Sequence, residues 1–398
     1  MRIEKYKKVQ SLPPWFLLGL AIAASNFKLT GIYILLGLCA IFYAVYYHRI
    51  KVPVSVLPLA LFSCTYFLFH MPNVGMVSAA KILICPLIWV VGYNTMEARD
   101  TKTIFEIAAI LAFGMAFHGL LNYLYNVLRG VTFRTGRTYD IWSGTISTAT
   151  GQAINFTLFL AVLPWLLLVQ KKRWLKIVSM MMFAGATLYG IQIGSRTYLV
   201  LCLFAAGISV LSGMLQKGQK RKAVGLIAGL CVVTGALIVA YSNDCFGIRT
   251  VIENSYLFYR VEWDRESFFG LLQNDRFDFK RIYIENMFRY PWGGYKMSSI
   301  SGSYAHDLWL DIFNEAGILA LIGIFLYTVL AFIRLNKTRK DKRVSAGERT
   351  AIVSYSVILC AQFFVEPIWQ GAPLLLCSFV LIDGMLAKFL SIRMEMRK

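Results

Sequence analysis

Apolar residues come in long runs along this chain, and polar residues are confined to the gaps between them. A helix rises ~1.5 Å per residue, so a hydrocarbon core of ~30 Å takes roughly 20 apolar residues to cross. Runs near that length predict spans at 12–27, 29–47, 53–70, 76–94, 103–128, 147–169, 175–193, 197–215, 223–241, 308–333, 350–366 and 372–390. The expected fold is all-α: a polytopic membrane protein of about 12 transmembrane helices, a single integral membrane domain over residues 1–398. The composition, 58% hydrophobic and 16% charged, lies outside that of soluble globular domains. The basic N-terminus "MRIEKYKK" leads straight into this pattern and reads as a retained anchor rather than a cleaved signal.

A formal net charge of +20 raises the question of nucleic acid. Its distribution answers it. Most Lys and Arg fall at the two termini and in alternate gaps: "YYHRIKVP", "MEARDTK", "QKKRWLK", "QKGQKRK" and "RLNKTRKDKR". That is the positive-inside pattern, with both termini cytoplasmic. The charge sets topology and meets anionic membrane lipid, and no nucleic-acid partner is expected. Seven of the eight cysteines fall inside predicted spans and only Cys245 lies in an outer gap, so they read as packing residues.

The cytoplasmic gaps are short and hold neither GxxxxGK[ST] nor GxGxxG, so the chain's own energy source is not expected to be ATP hydrolysis. The outer side differs. Residues 242–307 form one large extracytoplasmic loop, expected to cap the bundle, and loops of that length are usually functional. Within it "RFDFKRIYIENMFRYPWGGY" reads as an amphipathic helix broken at Pro291 and the glycines that follow. Trp263, Phe268, Phe269, Tyr283, Phe288 and Trp292 are the aromatics expected at the interface.

Three clusters of candidate chemistry share that side. In "SGSYAHDLWLDIFNEAGILALIGIF", residues 301–325, His306 stands where loop becomes helix, and a neutral imidazole can take a proton from an attacking hydroxyl. Asp307, Asp311 and Glu315 follow four residues apart on roughly one helix face. Glu315 falls about 12 Å into the helix, where a carboxylate needs a basic or polar partner. The plainer alternative is that Asp307 complements the helix dipole and Asp311 is solvated. In "IQIGSRTYLV", Gly194 and Ser195 make a turn and cap that leave Arg196 in the first turn of the next span. Arg196 there either builds an anion site or snorkels to the interface. In "NDRFDFKRIYIENMFRYPWGG", Arg276, Lys280, Arg281 and Arg289 are anion-binding candidates or solvated loop charges. Lys28, Lys81, Arg129, Arg134 and Arg137 add further outer or near-outer cations, a rim suited to an anionic lipid head group such as a diphosphate.

These residue types together suit glycosyl transfer from a lipid diphosphate to an acceptor hydroxyl. His306 would be the base, and Arg196 and Arg276 would hold the diphosphate. Arginine that neutralises the leaving group replaces both a metal and a general acid, so no metal and no cofactor is required. The acidic pairs at 264–266 and 275–278 are a weak signal for a metal.

The order of these motifs resembles the superfamily of O-antigen ligases and surface polysaccharide polymerases. The resemblance covers residues 130–335: "GSR" opening a span, an Arg and a P-x-G-G in the loop, then "AHDLWLDIFNEAGILALIGIF". His306, Leu310, Glu315, Gly317 and Gly323 align with the family's exit motif. The Asn expected after the His is Asp307, no clear Trp follows Arg276, and Gly323 lies two residues beyond the expected spacing. "WSGTISTATGQAINF" takes the place of a Asn-Pro-Asn-like stretch.

The resemblance implies a C-type glycosyltransferase-like fold in the bacterial cytoplasmic membrane, working without a metal on its outer face. Its partners would be an undecaprenyl diphosphate-linked oligosaccharide, an acceptor glycan and other polysaccharide-assembly membrane proteins. His306 would activate the acceptor, Arg196 and Arg276 would bind diphosphate, and Glu315, Asp307, Asp311 and Arg281 would support them. A polymerase is favoured, because no accessory domain for a protein acceptor stands at either end. A ligase acting on a lipid A core or protein acceptor is the alternative. A lipid-linked glycan flippase is the second, yet a transporter places ionisable groups at helix midpoints, and here those are few: His118, Lys81 and Glu366.

Overall fold

The computed structural model describes residues 50–95, 101–133, 136–215, 220–256, 258, 275–302 and 304–395. It is mostly helical. In chain order the elements are α1 (Leu57–Val74), α2 (Ile84–Thr95), α3 (Lys102–Leu128), β1 (Arg137–Tyr139), β2 (Ile146–Thr148), α4 (Thr157–Leu168), α5 (Arg173–Gln192), α6 (Arg196–Leu215), α7 (Lys220–Ser242), α8 (Ile248–Glu253), α9 (Asp275–Asn286), α10 (Tyr295–Ser301), α11 (Leu308–Arg339), α12 (Ala346–Val365), α13 (Ile368–Gly371) and α14 (Pro373–Glu395). Among the described residues eight helices are long and apolar enough to cross a membrane. An apolar run in lipid has no water to satisfy its peptide groups, so it folds into a helix that satisfies them itself. These eight fall on predicted spans, and the predicted runs at 197–215 and 223–241 are also helical, as α6 and α7. The predicted spans at 12–27 and 29–47 lie outside the described residues, as do Trp263, Phe268 and Phe269.

One predicted span starts late. Residues 146–148 are extended and pair antiparallel with β1, Arg137 opposite Thr148 and Tyr139 opposite Ile146. Helix follows as a short turn at Ala149–Ala153, a 3-10 turn at Ile154–Phe156 and then α4. Ile146 and Thr148 are β-branched and suit a strand, so the apolar run alone misplaces the boundary.

The chain divides into two compact units. The first holds residues up to 114, 275–344 and 363–398. Here α1 lies along α11, and α2 lies along α14. Small residues let the backbones meet: a Cβ on Gly92 or Gly384 would strike the carbonyl of Leu381 or of Trp89, and one on Gly323 would strike Phe62. A buried charge pair ties three of these helices together. Arg334 of α11 donates through Nε and Nη2 to both oxygens of Asp383 on α14, each at 2.6 Å, and the Trp89 indole of α2 donates to the same carboxylate at 2.7 Å.

The second unit holds residues 115–274 and 345–362. Its centre is α4, whose side chains from Thr157 to Leu166 are all buried, with α5 and α6 against it. The hairpin is fastened to α3 by side-chain amides. Asn126 donates to the Tyr139 carbonyl and accepts from the Tyr139 amide, and Asn122 accepts from the Ile141 amide while donating to Asp140 and Gln152. Asp140 also caps the turn by accepting from the amides of Trp142 and Ser143. His118 Nε2 stands 3.2 Å from Asp140 Oδ2 with both side chains buried, and the Trp142 ring stacks on the imidazole. Burial pushes the Asp140 carboxyl up, but His118, the Ser143 amide and Asn122 together hold it well below the usual carboxylate range.

Candidate functional site

The site is built where loop meets α11. Asp307 is the helix N-cap, its Oδ1 accepting from the amides of Trp309 and Leu310 at 3.0 and 3.1 Å. Four residues on, Asp311 reaches back over the start of the helix. Its Oδ1 accepts from the Ala305 amide at 2.7 Å and its Oδ2 from the Asp307 amide at 3.0 Å. The residue between those amides is His306, whose φ of 54° is left-handed. A non-glycine residue in that region is disfavoured by about 1–2 kcal/mol and persists only where its surroundings hold it. Asp311 is what holds it.

The clamp fixes the imidazole. Its Nδ1 is buried and lies 3.8 Å from Oε2 of Glu366, whose side chain is 1% exposed, while the His306 side chain keeps 24% of its surface open. Lys280 of α9 donates to Asp307 Oδ2 at 3.3 Å and also to the carbonyl of Phe364. Burial nevertheless raises the Asp307 carboxyl above its ordinary range, with the Leu310 amide and Lys280 pulling the other way.

Below this, the loop motif and the helix motif mesh. Gly317 interrupts α11 with φ 78°, ψ −174°. The turn Pro291–Gly294 docks on that interruption: the Ile318 amide donates to the Pro291 carbonyl at 2.8 Å, and the Gly294 amide donates to the Asn314 carbonyl. The fit leaves no room for a side chain. A Cβ on Gly317 would lie 2.5 Å from the Pro291 oxygen, and one on Gly293 2.3 Å from the Phe313 oxygen. Trp292 stacks on Phe69 of α1. Tyr283, Met297, Ala305 and Phe313 form the apolar core beneath, with the Tyr283 hydroxyl donating to Ser301 and pushed by burial up to about 12.

Glu315 sits at this junction. Its carboxylate accepts from the Tyr66 hydroxyl at 2.5 Å and from the Gln370 amide at 2.8 Å, and its backbone carbonyl lies 3.3 Å from His70 Nδ1. It joins α1, α11 and α13.

The structure therefore brings His306, Asp307 and Asp311 together at the start of α11, and sets Glu315 one turn beyond Asp311 against Tyr66 and Gln370. Arg281 pairs instead with Glu285 one turn on, and both are exposed. Arg276 is the second residue of α9, and its side chain lies outside the described set. Arg196 belongs to the other unit. There α5 ends in a turn in which the Ser195 amide donates to the Gly190 carbonyl, Gly194 adopts φ 64°, and Arg196 opens α6. Ser195 is buried and its hydroxyl accepts a long bond, 3.4 Å, from the Tyr198 amide.

Sequence reasoning met Glu366 only as an ionisable group in a predicted span, and did not reach its place beside His306, Lys280 as a partner of Asp307, or Tyr66 and Gln370. The one legible signal was an acid set directly before Pro367 at the end of an apolar run. Neither a protein-family model nor a curated protein matches the chain.

Proposed function

We propose that the protein is a glycosyltransferase that polymerises lipid-linked oligosaccharide repeat units, acting on the outer face of a bacterial cytoplasmic membrane. The observation that carries this is His306: a partly open imidazole at the mouth of an apolar helix, on a left-handed backbone clamped by Asp311. Strain held in place around one titratable side chain marks a site whose geometry matters for more than packing.

In the proposed reaction the acceptor hydroxyl gives its proton to the imidazole as its oxygen bonds to the anomeric carbon of the donor. The bond from that carbon to the diphosphate breaks, and the diphosphate leaves as an anion on the carrier lipid. Arg196 and Arg276 are assigned the developing charge, a role that rests on their motifs in the sequence. The proton on the imidazolium is later lost to water. Asp311 and Asp307 shape the His306 loop, and Glu315 with Gly317 fixes the helix beneath it. Where the related pattern has Asn after the His, this chain has Asp307 and supplies Lys280 opposite it.

The test is the glycan profile of a host lacking the gene and complemented with the wild-type protein. Restored long chains support the polymerase. Long chains that stay on the carrier lipid in the deletion host identify a ligase, and single repeats stranded on the cytoplasmic face identify a flippase.

A further inference from the structure

A base that takes a proton through one imidazole nitrogen works best when the other is held by an acceptor. In the His306 neighbourhood three carboxylates are engaged elsewhere. Asp311 accepts from two backbone amides, Asp307 caps α11 and meets Lys280, and Glu315 accepts from Tyr66 and Gln370. Among the described residues it is Glu366 that faces the ring, its Oε2 3.8 Å from Nδ1. It arrives from a different part of the chain, between the end of α12 and the rigid ring of Pro367. Buried Nδ1 and a partly open ring leave Nε2 as the nitrogen toward substrate.

We propose that Glu366 is the positioning residue for His306: its carboxylate keeps the hydrogen on Nδ1, leaves the Nε2 lone pair for the acceptor hydroxyl, and stabilises the imidazolium once the proton arrives. This rests on the glycosyl-transfer reading above. At 3.8 Å the contact is longer than a hydrogen bond and becomes an ion pair only when the ring is protonated, so it tightens as charge develops on the ring. The plain alternative is a buried acid that merely packs beside a histidine; it predicts loss of stability without a selective loss of turnover.

The experiment uses full-length protein in proteoliposomes, fed lipid-linked repeat units extracted from the deletion host. Initial rates of chain extension are measured against repeat concentration for wild type, His306→Ala, Glu366→Gln and Glu366→Asp. Glu366→Gln is expected to lower kcat about 30- to 1,000-fold with KM within about twofold, the pattern of a contact made only in the transition state. Glu366→Asp keeps the charge but draws it back by a methylene, and its kcat is expected to fall between, about 3- to 10-fold below wild type. Glu366→Gln at wild-type kcat, or with KM raised and kcat unchanged, overturns the proposal while an inactive His306→Ala leaves the base intact. His306→Ala as active as wild type, or a wild type that extends no chain, overturns the underlying reading instead. Should Glu366→Gln not accumulate, Glu366→Asp decides alone: lower kcat at constant KM supports the proposal, and unchanged kcat or altered KM overturns it.

Discussion

Asp311 accepts hydrogen bonds from the amides on both sides of His306, one through each carboxylate oxygen. One side chain thus fixes the backbone of a residue five positions earlier through the amides on either side of it. Asp311→Ala would strand two buried amide donors and release the left-handed residue between them. A buried donor left unsatisfied costs about 1–3 kcal/mol, so the loss for two is expected to be about 2–6 kcal/mol, with glycan extension abolished. Melting in detergent alongside an extension assay checks both. Asp311→Asn, which keeps one acceptor, should fall between.

The meeting of Gly317 with the Pro291–Gly294 turn predicts a sharp contrast between two glycines. Gly317→Ala places a Cβ 2.5 Å from the Pro291 oxygen on a backbone with φ 78°, and strain plus overpacking is expected to cost at least about 3 kcal/mol. Gly207, inside α6, has open space around its Cβ. Gly207→Ala is expected to be neutral or stabilising by up to about 1 kcal/mol. Comparing the two melting midpoints with wild type tests this.

Asp383 binds Arg334 through both oxygens, at 2% and 12% side-chain exposure. Removing one member of such a pair leaves the other charged and buried, at a cost of about 3–5 kcal/mol, whereas replacing both with apolar residues is often neutral. Asp383→Ala should therefore lower the melting midpoint far more than Arg334→Met with Asp383→Leu. Equal losses would show that the pair contributes little beyond its volume.

Asp140 makes stability depend on acid. Its carboxyl titrates below the ordinary 3.8 in the folded chain, so the folded state binds its proton less readily than the unfolded chain does. The stabilisation is then fully present above the ordinary value and is lost as pH falls below it toward the depressed folded value. The melting difference between wild type and Asp140→Asn should be constant from neutral pH down to about 5 and should shrink below about 4. A difference independent of pH across that range would contradict the assignment.

Much of the fold was legible because hydrocarbon imposes one solution on an apolar run, and α1, α3, α11 and α14 follow their runs closely. The hairpin was not, because Arg137–Tyr139 and Ile146–Thr148 are held by pairing and by Asn122 and Asn126 of α3, contacts that no local pattern encodes. His306, Asp311 and Glu315 stood out as polar residues at a costly place. What Asp311 does there was hidden: spacing puts it on a face, and only the folded chain shows it reaching back to two amides. Glu366 was visible only as one of the few ionisable groups in the predicted spans, since its approach to His306 joins positions sixty residues apart. Lys280 and Arg281 look alike in the sequence, yet one meets Asp307 and the other a neighbouring Glu285 at the surface.

The measurement that bears most directly on the central claim is glycan chain length in the deletion host carrying His306→Ala, beside wild type at equal abundance in the membrane. Long chains are expected with wild type and single lipid-linked repeats with His306→Ala. Long chains of wild-type length from His306→Ala would contradict the claim.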